Sequence, residues 1–232
     1  MATEDSRVLT VALIFPELLG TYGDGGNARV LVERARQRGI DANLVVVGVG
    51  EEVPSATLFV LGGGEDGPQG LAADQLRVSS FASRVEDGSF VVAVCAGLQI
   101  LGTTFCVEGR DDYPGLNLVD AVTRRAKKRA VGELAVRVKG RALVGFENHG
   151  GTTTLGAGVT PLGEVLRGRG NDGKVDGFVA ERVWATYAHG PVLALNPWWA
   201  DEILGAVLGV SLEPLVTVAD DLYEERRGAL KV

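Results

Sequence analysis

The chain of 232 residues contains few of the residue types that mark several protein classes. It has two cysteines, two histidines, one methionine and 6% aromatic residues. The cysteines lack metal-ligand spacing and are too few for a disulfide scaffold, which indicates a reducing compartment. The polar, acidic N-terminus does not resemble a signal peptide, and no apolar run is long enough to span a bilayer. We therefore expect a cytoplasmic protein without membrane insertion.

An excess of positive charge is also absent. The formal net charge is −7, whereas a nucleic-acid-binding surface requires a basic face, so we expect no nucleic-acid partner. The hydrophobic fraction of 46% and the charged fraction of 23% are ordinary for a globular protein. The length favours one large domain, which we place at residues 1–210, followed by a C-terminal helical tail at 211–232.

The most informative stretch begins at Phe90. Five apolar residues, Phe90–Val94, fit a strand buried on both faces of a parallel sheet, and Leu98 and Leu101 then follow at helical offsets. Cys95 stands where the strand becomes a helix, among small neighbours. A sharp turn of this kind is a nucleophile elbow, which holds a reactive atom beside the free N–H groups of a helix. From this segment alone, the alternative is that Cys95 is a buried structural cysteine.

The remaining apolar segments predict a mostly parallel, doubly wound α/β sheet. In the first half we expect strands at 8–14, 43–47 and 57–61, a helix that stops near Gly39, and a helix at 70–87. In the second half we expect antiparallel pairs within 134–146 and 174–188, a helix at 198–208, and a solvated terminal helix near 220–227.

Two glycine-rich segments follow predicted strands. The backbone of Gly62–Gly64 can approach a ligand closely, and its N–H groups can converge to form an oxyanion hole. The segment 19–27 lacks the Lys-Ser/Thr pair of a P-loop and the GxGxxG spacing. We therefore expect a rigid loop there, at the carboxyl edge of the sheet, rather than a nucleotide site.

A cysteine nucleophile needs a base within about 3 Å, and both histidines, His149 and His189, follow predicted strands. Position alone leaves both open as the base.

Five cations occupy six positions in the segment 124–129. A solvated face is the default interpretation of such a run, and contact with a carboxylate or a partner is the alternative.

Together these motifs resemble the class I (triad-type) glutamine amidotransferases, whose glutaminase domain has a flavodoxin-like fold. The elbow Cys95-Ala-Gly-Leu-Gln99 is similar to the Cys-x-Gly-x-Gln of that family, and Gly62–Gly64 is similar to its oxyanion strand. The sequence Thr186-Tyr187-x-His189-Gly190 resembles the histidine motif of the CobB/CobQ-like, cobyric-acid-synthase branch.

Two further motifs narrow the resemblance to the glutaminase subunits of lipid II isoglutaminyl synthases. They are Gly-Phe-Glu-Asn-His-Gly-Gly at 145–151 and Tyr22-x-Asp24-x-Gly26-Asn27. In those enzymes the partner resembles a Mur ligase of the MurT type and forms a heterodimer with the glutaminase. The resemblance implies that the partner holds ATP and Mg²⁺, and that this chain needs no cofactor or metal. Ammonia would convert the D-glutamate of lipid II to D-isoglutamine, a step in peptidoglycan biosynthesis.

The resemblance also assigns roles to residues. Cys95 would attack the side-chain amide carbon of L-glutamine, and His189, rather than His149, would be the base. The N–H of Ala96 and one from Gly63 or Gly64 would hold the oxyanion. The residues implied to position glutamine or a substrate carboxylate are Gln99, Arg129, Asn148 and Gly150.

The sequence departs from the family pattern at two positions. Ala93 replaces a glycine before the cysteine, and Pro191 stands where many members have a glutamate after the histidine. Because no third triad member is visible in the sequence, we expect a Cys–His dyad whose orienting carboxylate comes from the partner.

Three alternatives stay open. The chain could be a glutaminase for another ATP-dependent synthetase, such as one making a cobyrinic-acid-type amide. It could instead be a silent regulatory subunit, or a cysteine hydrolase of the PfpI type. Gln99 and the loop that we expect at Asn148-His149-Gly150 favour glutamine over the last of these.

Overall fold

The structure, a computed structural model, describes residues 8–232 and contains two β-sheets. The strands are β1 (Leu9–Ile14), β2 (Ala42–Val47), β3 (Leu58–Leu61), β4 (Phe90–Val94), β5 (Thr104–Val107), β6 (Arg110–Pro114), β7 (Ala121–Val138), β8 (Arg141–Leu155), β9 (Gly163–Arg167), β10 (Val175–Asp176), β11 (Phe178–Ala180) and β12 (Val183–Thr186). The helices are α1 (Gly26–Arg36), α2 (Asp66–Val78), α3 (Phe81–Glu86), α4 (Ala96–Leu101), α5 (Val192–Leu195), α6 (Pro197–Leu208) and α7 (Val218–Leu230).

The first sheet is the predicted α/β sheet, with strand order β11-β12-β4-β3-β1-β2. Its strands pair in parallel except for the edge strand β11. The central strands β3 and β4 are almost wholly buried, which explains why their sequences are apolar without alternation. Because the carboxyl ends of parallel strands meet at one edge, the segments after β1, β3, β4 and β12 converge there.

The second sheet is mostly antiparallel and is dominated by the long β7–β8 hairpin. The antiparallel pairing predicted within 134–146 is confirmed, but both strands extend much further. Asn148, His149 and Gly150 lie inside β8, so the prediction that they form a loop is wrong. The backbone of Asn148 and His149 pairs with β7 at Val131 and Ala130, and this pairing overrides the loop signal of the adjacent glycines.

The helix predicted over 70–87 is two helices. α2 begins earlier, at Asp66, and ends at Val78, and α3 follows from Phe81. At the break, the Ser79 hydroxyl donates to the Leu76 carbonyl and accepts the Phe81 N–H. Serine side chains compete in this way with helical backbone hydrogen bonds, which is the physical reason for the break.

The terminal helix α7 begins at a capping box formed by Thr217 and Asp220. Its side chains are mostly exposed, but Tyr223 and Leu230 are buried, and the Tyr223 hydroxyl donates to the Ala142 carbonyl at 2.8 Å. The helix therefore packs against β8. None of the helices within residues 8–232 combines the length and the apolar character needed to cross a membrane.

Candidate active site

Cys95 lies at a strained turn between β4 and α4. Its φ of 50° and ψ of −103° are unusual for a residue other than glycine. The turn is held by hydrogen bonds on both sides: Cys95 N–H donates to Thr186 O at 2.9 Å, and Gly97 N–H donates to Gly62 O at 3.1 Å. Strain that is maintained by surrounding contacts is typical of functional positions, so the predicted nucleophile elbow is present.

His189 follows β12 at the same edge of the sheet. Its backbone pairs with Phe146 of β8, and its ring packs against the rings of Phe146 and Tyr22, with centroids 5.4 and 4.9 Å away; the centroids of those two rings are 5.2 Å apart. The ring is buried, and its Nε2 atom has no nitrogen or oxygen partner among residues 8–232. The neighbouring Cys95 is one of the groups that raise the pKa of the ring. The structure thus brings together the two residues predicted to be nucleophile and base.

A buried carboxylate completes this arrangement. Asp24, in the loop after β1, accepts hydrogen bonds at Oδ2 from His189 Nδ1 at 2.8 Å and from Gly63 N–H at 2.9 Å. The expectation that no carboxylate of this chain orients His189 is therefore wrong, whereas the prediction of a carboxylate from the partner stays a prediction. The sequence contained the signal in the motif Tyr22-x-Asp24-x-Gly26-Asn27, but Asp24 is 165 residues away from the histidine that it contacts.

The pKa of His189 reflects these neighbours. Burial lowers it, whereas the hydrogen bond that the ring donates to Asp24, the neighbouring Cys95 and the charges of both groups raise it more, so that the pKa rises from 6.5 to about 10. The ring is therefore held as an imidazolium at neutral pH. Because Nδ1 carries the proton that Asp24 accepts, Nε2 is the nitrogen that can exchange a proton with the thiol.

The glycine run after β3 packs tightly against the loop after β1. A Cβ added to Gly62 would lie 2.0 Å from Leu19 O, and one added to Gly64 would lie 2.6 Å from Leu18 O. The glycines are therefore required by close packing. Since the N–H of Gly63 is bonded to Asp24, the prediction of Gly63 as an oxyanion donor is wrong.

Two predicted oxyanion donors remain available. Within the described part of the chain, the N–H groups of Gly64 and Ala96 donate no hydrogen bond. Ala96 is the first residue of α4, and Gly64 lies beside the same cavity as Cys95. Two free N–H groups near a nucleophile are the arrangement that stabilises a tetrahedral oxyanion.

A cavity of about 80 Å³ opens beside Cys95. Its buried floor includes Gln69, Gln99 and Cys106, and burial raises the pKa of the Cys106 thiol. Its rim carries charges of both signs, from the exposed Glu65, Arg125 and Arg129 and the half-buried Asp66. A free amino acid has the complementary pair of charges. No local pattern in the sequence marks the two rim acids or Gln69 as part of a site.

All four residues predicted to position glutamine line this cavity, namely Gln99, Arg129, Asn148 and Gly150. The Gln99 amide is already committed: it accepts from Gln69 at 2.8 Å and donates to the Tyr187 hydroxyl at 3.1 Å. Arg129 donates to the side chain and the carbonyl of Asn148. The Asn148 amide in turn donates to the Tyr22 hydroxyl.

His149 lines the cavity but is fixed by the protein. Its Nδ1 lies 3.0 Å from Gly151 O, its Nε2 lies 3.1 Å from Glu147 Oε2, and its ring stacks on Tyr187 with centroids 3.8 Å apart. With both nitrogens occupied, it is not placed to act on Cys95. The choice between the two histidines, which position alone left open, therefore falls to His189.

The layer behind the cavity is polar and buried. Burial raises the pKa of Asp176 to about 6, although hydrogen bonds from Thr186 and Tyr187 oppose the shift. Burial also raises the pKa of Tyr187. In residues 8–232 there is no cluster of three or more His, Cys, Asp or Glu residues that could hold a metal ion.

Comparison with known proteins defines the class. The chain belongs to the CobB/CobQ-like glutamine amidotransferase domain family, which matches residues 10–197. Solved structures agree at the level of fold. "Crystal structure of glutamine amidotransferase" matches with a TM-score of 0.54 at 19% identity, over 84% of this chain and 98% of that one. "Structure of PurLQS from Thermotoga maritima" matches with a TM-score of 0.58 at 17% identity, over 88% and 97%.

Two curated relatives are each named lipid II isoglutaminyl synthase (glutamine-hydrolyzing) subunit GatD. The one from Staphylococcus aureus is 32% identical over 89% of this chain and 88% of its own length. The one from Streptococcus pneumoniae is 30% identical over 81% and 76%. A cobyric acid synthase from Limosilactobacillus reuteri is 28% identical over 81% of this chain but only 40% of its own length.

The raised pKa of His189 predicts a pH dependence of stability. Because the folded protein binds this proton more tightly than the unfolded chain, the contribution is complete below about pH 6.5 and is lost as the pH rises towards 10. It amounts to several kcal/mol, on the order of 1.4 kcal/mol for each pKa unit. Urea unfolding from pH 6 to 10 should therefore show a steeper loss in the natural chain than in His189→Asn. Parallel curves would contradict the assignment.

Proposed function

We propose that this chain hydrolyses L-glutamine to glutamate and ammonia through a thioester on Cys95. The observation that carries the proposal is the line of contacts from Cys95 to His189 to Asp24, at the edge of a cavity with both charges on its rim. Membership of a glutamine amidotransferase family supports the same substrate. The two half-reactions follow from the protons and hydrogen bonds that Cys95, His189 and Asp24 can donate or accept.

In the first half-reaction, His189 Nε2 takes the proton of the Cys95 thiol, and the resulting thiolate attacks the side-chain amide carbon of glutamine. The carbonyl oxygen becomes an oxyanion, to which the N–H groups of Gly64 and Ala96 can donate. His189 Nε2–H gives its proton to the departing nitrogen, which leaves as ammonia. The C–N bond breaks, and a thioester between glutamate and Cys95 remains.

In the second half-reaction, His189 Nε2 removes a proton from water, and the hydroxide attacks the thioester carbon. The C–S bond then breaks and releases glutamate and the Cys95 thiolate. Throughout both steps the Asp24 carboxylate holds the Nδ1 proton, so that the same nitrogen always faces the sulfur. All groups in these two steps belong to this chain.

The ammonia would be used by a partner subunit. The two relatives named as subunits of lipid II isoglutaminyl synthase match this chain over most of its length and theirs. We infer a heterodimer in the cytoplasm with a Mur-ligase-like synthetase of the MurT type. That partner would hold ATP and Mg²⁺ and would amidate the D-glutamate of lipid II, giving D-isoglutamine for peptidoglycan. A cobyrinic-acid-type acceptor is the second candidate. It is supported by the similarity to a cobyric acid synthase, which is lower than the similarity to the two GatD subunits.

Substitution of Cys95 gives the direct test. Cys95→Ala removes the nucleophile that forms the thioester, and His189→Ala removes the group that transfers protons. Each variant should therefore reduce ammonia release from L-glutamine at least about 100-fold. In the complex with the synthetase, Cys95→Ala should block amidation with glutamine as the nitrogen source but allow it with added ammonium chloride. Ammonia release that survives Cys95→Ala would exclude the thioester mechanism.

Arg129 is expected to bind the carboxylate of glutamine. Arg129→Met should raise KM for glutamine about 10- to 100-fold, the value of a hydrogen-bonded charge contact, with a smaller effect on kcat. Arg124→Met is the matched control, because Arg124 is a cation on the same strand that does not line the cavity. Equal KM values in the two variants would show that the carboxylate binds elsewhere.

A further inference from the structure

The loop after β1 is built around the catalytic histidine. Tyr22 lies edge-on to the His189 ring, with an interplanar angle of 72°. Two residues later, Asp24 bonds to Nδ1 of the same ring. Tyr22 has a φ of 61°, a left-handed conformation that costs a tyrosine energy. The surrounding contacts therefore hold this side chain against the histidine despite local strain.

The rest of the same motif contacts the segment that follows the histidine. A Cβ added to Gly26 would lie 2.4 Å from Pro191 Cγ, so only glycine allows this approach. Asn27 accepts the Leu193 N–H at 2.9 Å and is fully buried. The four specified positions of Tyr22-x-Asp24-x-Gly26-Asn27 thus all contact the histidine or the chain just beyond it.

The loop is also joined to the glutamine side of the cavity. The Tyr22 hydroxyl accepts a hydrogen bond from the Asn148 amide, and Asn148 accepts one from Arg129. Arg129 and Asn148 line the cavity. Tyr22, which is bonded to Asn148, packs its ring against the ring of His189. A single series of contacts therefore connects the substrate-facing side chains with the base.

We propose that the segment Tyr22–Asn27 is the positioning element of the base: Asp24 fixes the His189 ring, and Tyr22 couples its position to glutamine contacts at Arg129 and Asn148. The proposal rests on the proposed glutaminase function. A glutamine carboxylate that binds Arg129 competes with Asn148 for the guanidinium, and a change at Asn148 reaches Tyr22 through the Asn148 amide.

The position of the base can be measured without turnover, because the chain has only two histidines. Imidazole NMR signals of the natural chain are titrated from pH 5 to 10.5, and His189→Asn assigns the signal of His189. The natural chain should show a His189 pKa well above 6.5, and Asp24→Asn should lower it by more than one unit. In Asp24→Asn, kcat should fall about 100-fold or more with KM little changed.

The coupling through Tyr22 is tested with the reaction product. Saturating L-glutamate should shift the His189 signal in the natural chain but not in Tyr22→Phe, which keeps the ring and loses the hydroxyl. Calorimetry confirms that glutamate is bound in both, and kcat should fall about 2- to 10-fold in the variant. Tyr113→Phe is the matched control, since its hydroxyl bonds to Asp74 outside the cavity, and it should respond like the natural chain.

Two results would overturn the proposal: a His189 pKa that is the same in Asp24→Asn, or a glutamate-induced shift of equal size in Tyr22→Phe. If Asp24→Asn does not fold, a His189 pKa of 6.5 or below in the natural chain decides against Asp24, and the Tyr22→Phe result stands alone. A natural chain that releases no ammonia with its synthetase would contradict the proposed function instead. The two failures are therefore distinguishable.

Discussion

The contact between the Asp24 carboxylate and the His189 ring is the interaction on which the rest of the site depends. Asp24 is fully buried, and a buried carboxylate is tolerated only when hydrogen bonds replace its water. Here the donors are His189 Nδ1 and the Gly63 backbone. One carboxylate oxygen therefore joins the loop after β1, the glycine run after β3 and the segment after β12, and it sets which nitrogen of the base faces Cys95.

This contact explains features that look unrelated in the sequence. Gly63 has no room for a side chain because a Cβ would lie 2.6 Å from the His189 ring. The parallel sheet brings the three segments to one edge, and Cys95 meets them there from a fourth strand. The strained conformation of Cys95 is offset by the buried packing of β4 and α4 on both sides of it.

Local patterns in the sequence predicted the parts of the structure that local forces determine. The apolar run at Phe90–Val94 and the switch to helical spacing gave the elbow, and His189 followed from a motif resemblance. The sequence does not reveal Asp24 as the partner of His189, because a contact across 165 residues leaves no local pattern. The glycines after His149 favour a turn and so predict a loop at 148–150, whereas the pairing of Asn148 and His149 with β7 keeps this segment inside β8.

The most direct test of this account is a crystal structure of the chain after reaction with a glutamine analogue that carries a diazoketone in place of the amide. The account predicts a covalent bond to Cys95 Sγ, with the analogue's oxygen within hydrogen-bond distance of the N–H groups of Gly64 and Ala96, and with Asp24 still bonded to His189 Nδ1. An adduct on Cys106, or a His189 ring turned away from Asp24 in the adduct, would contradict it.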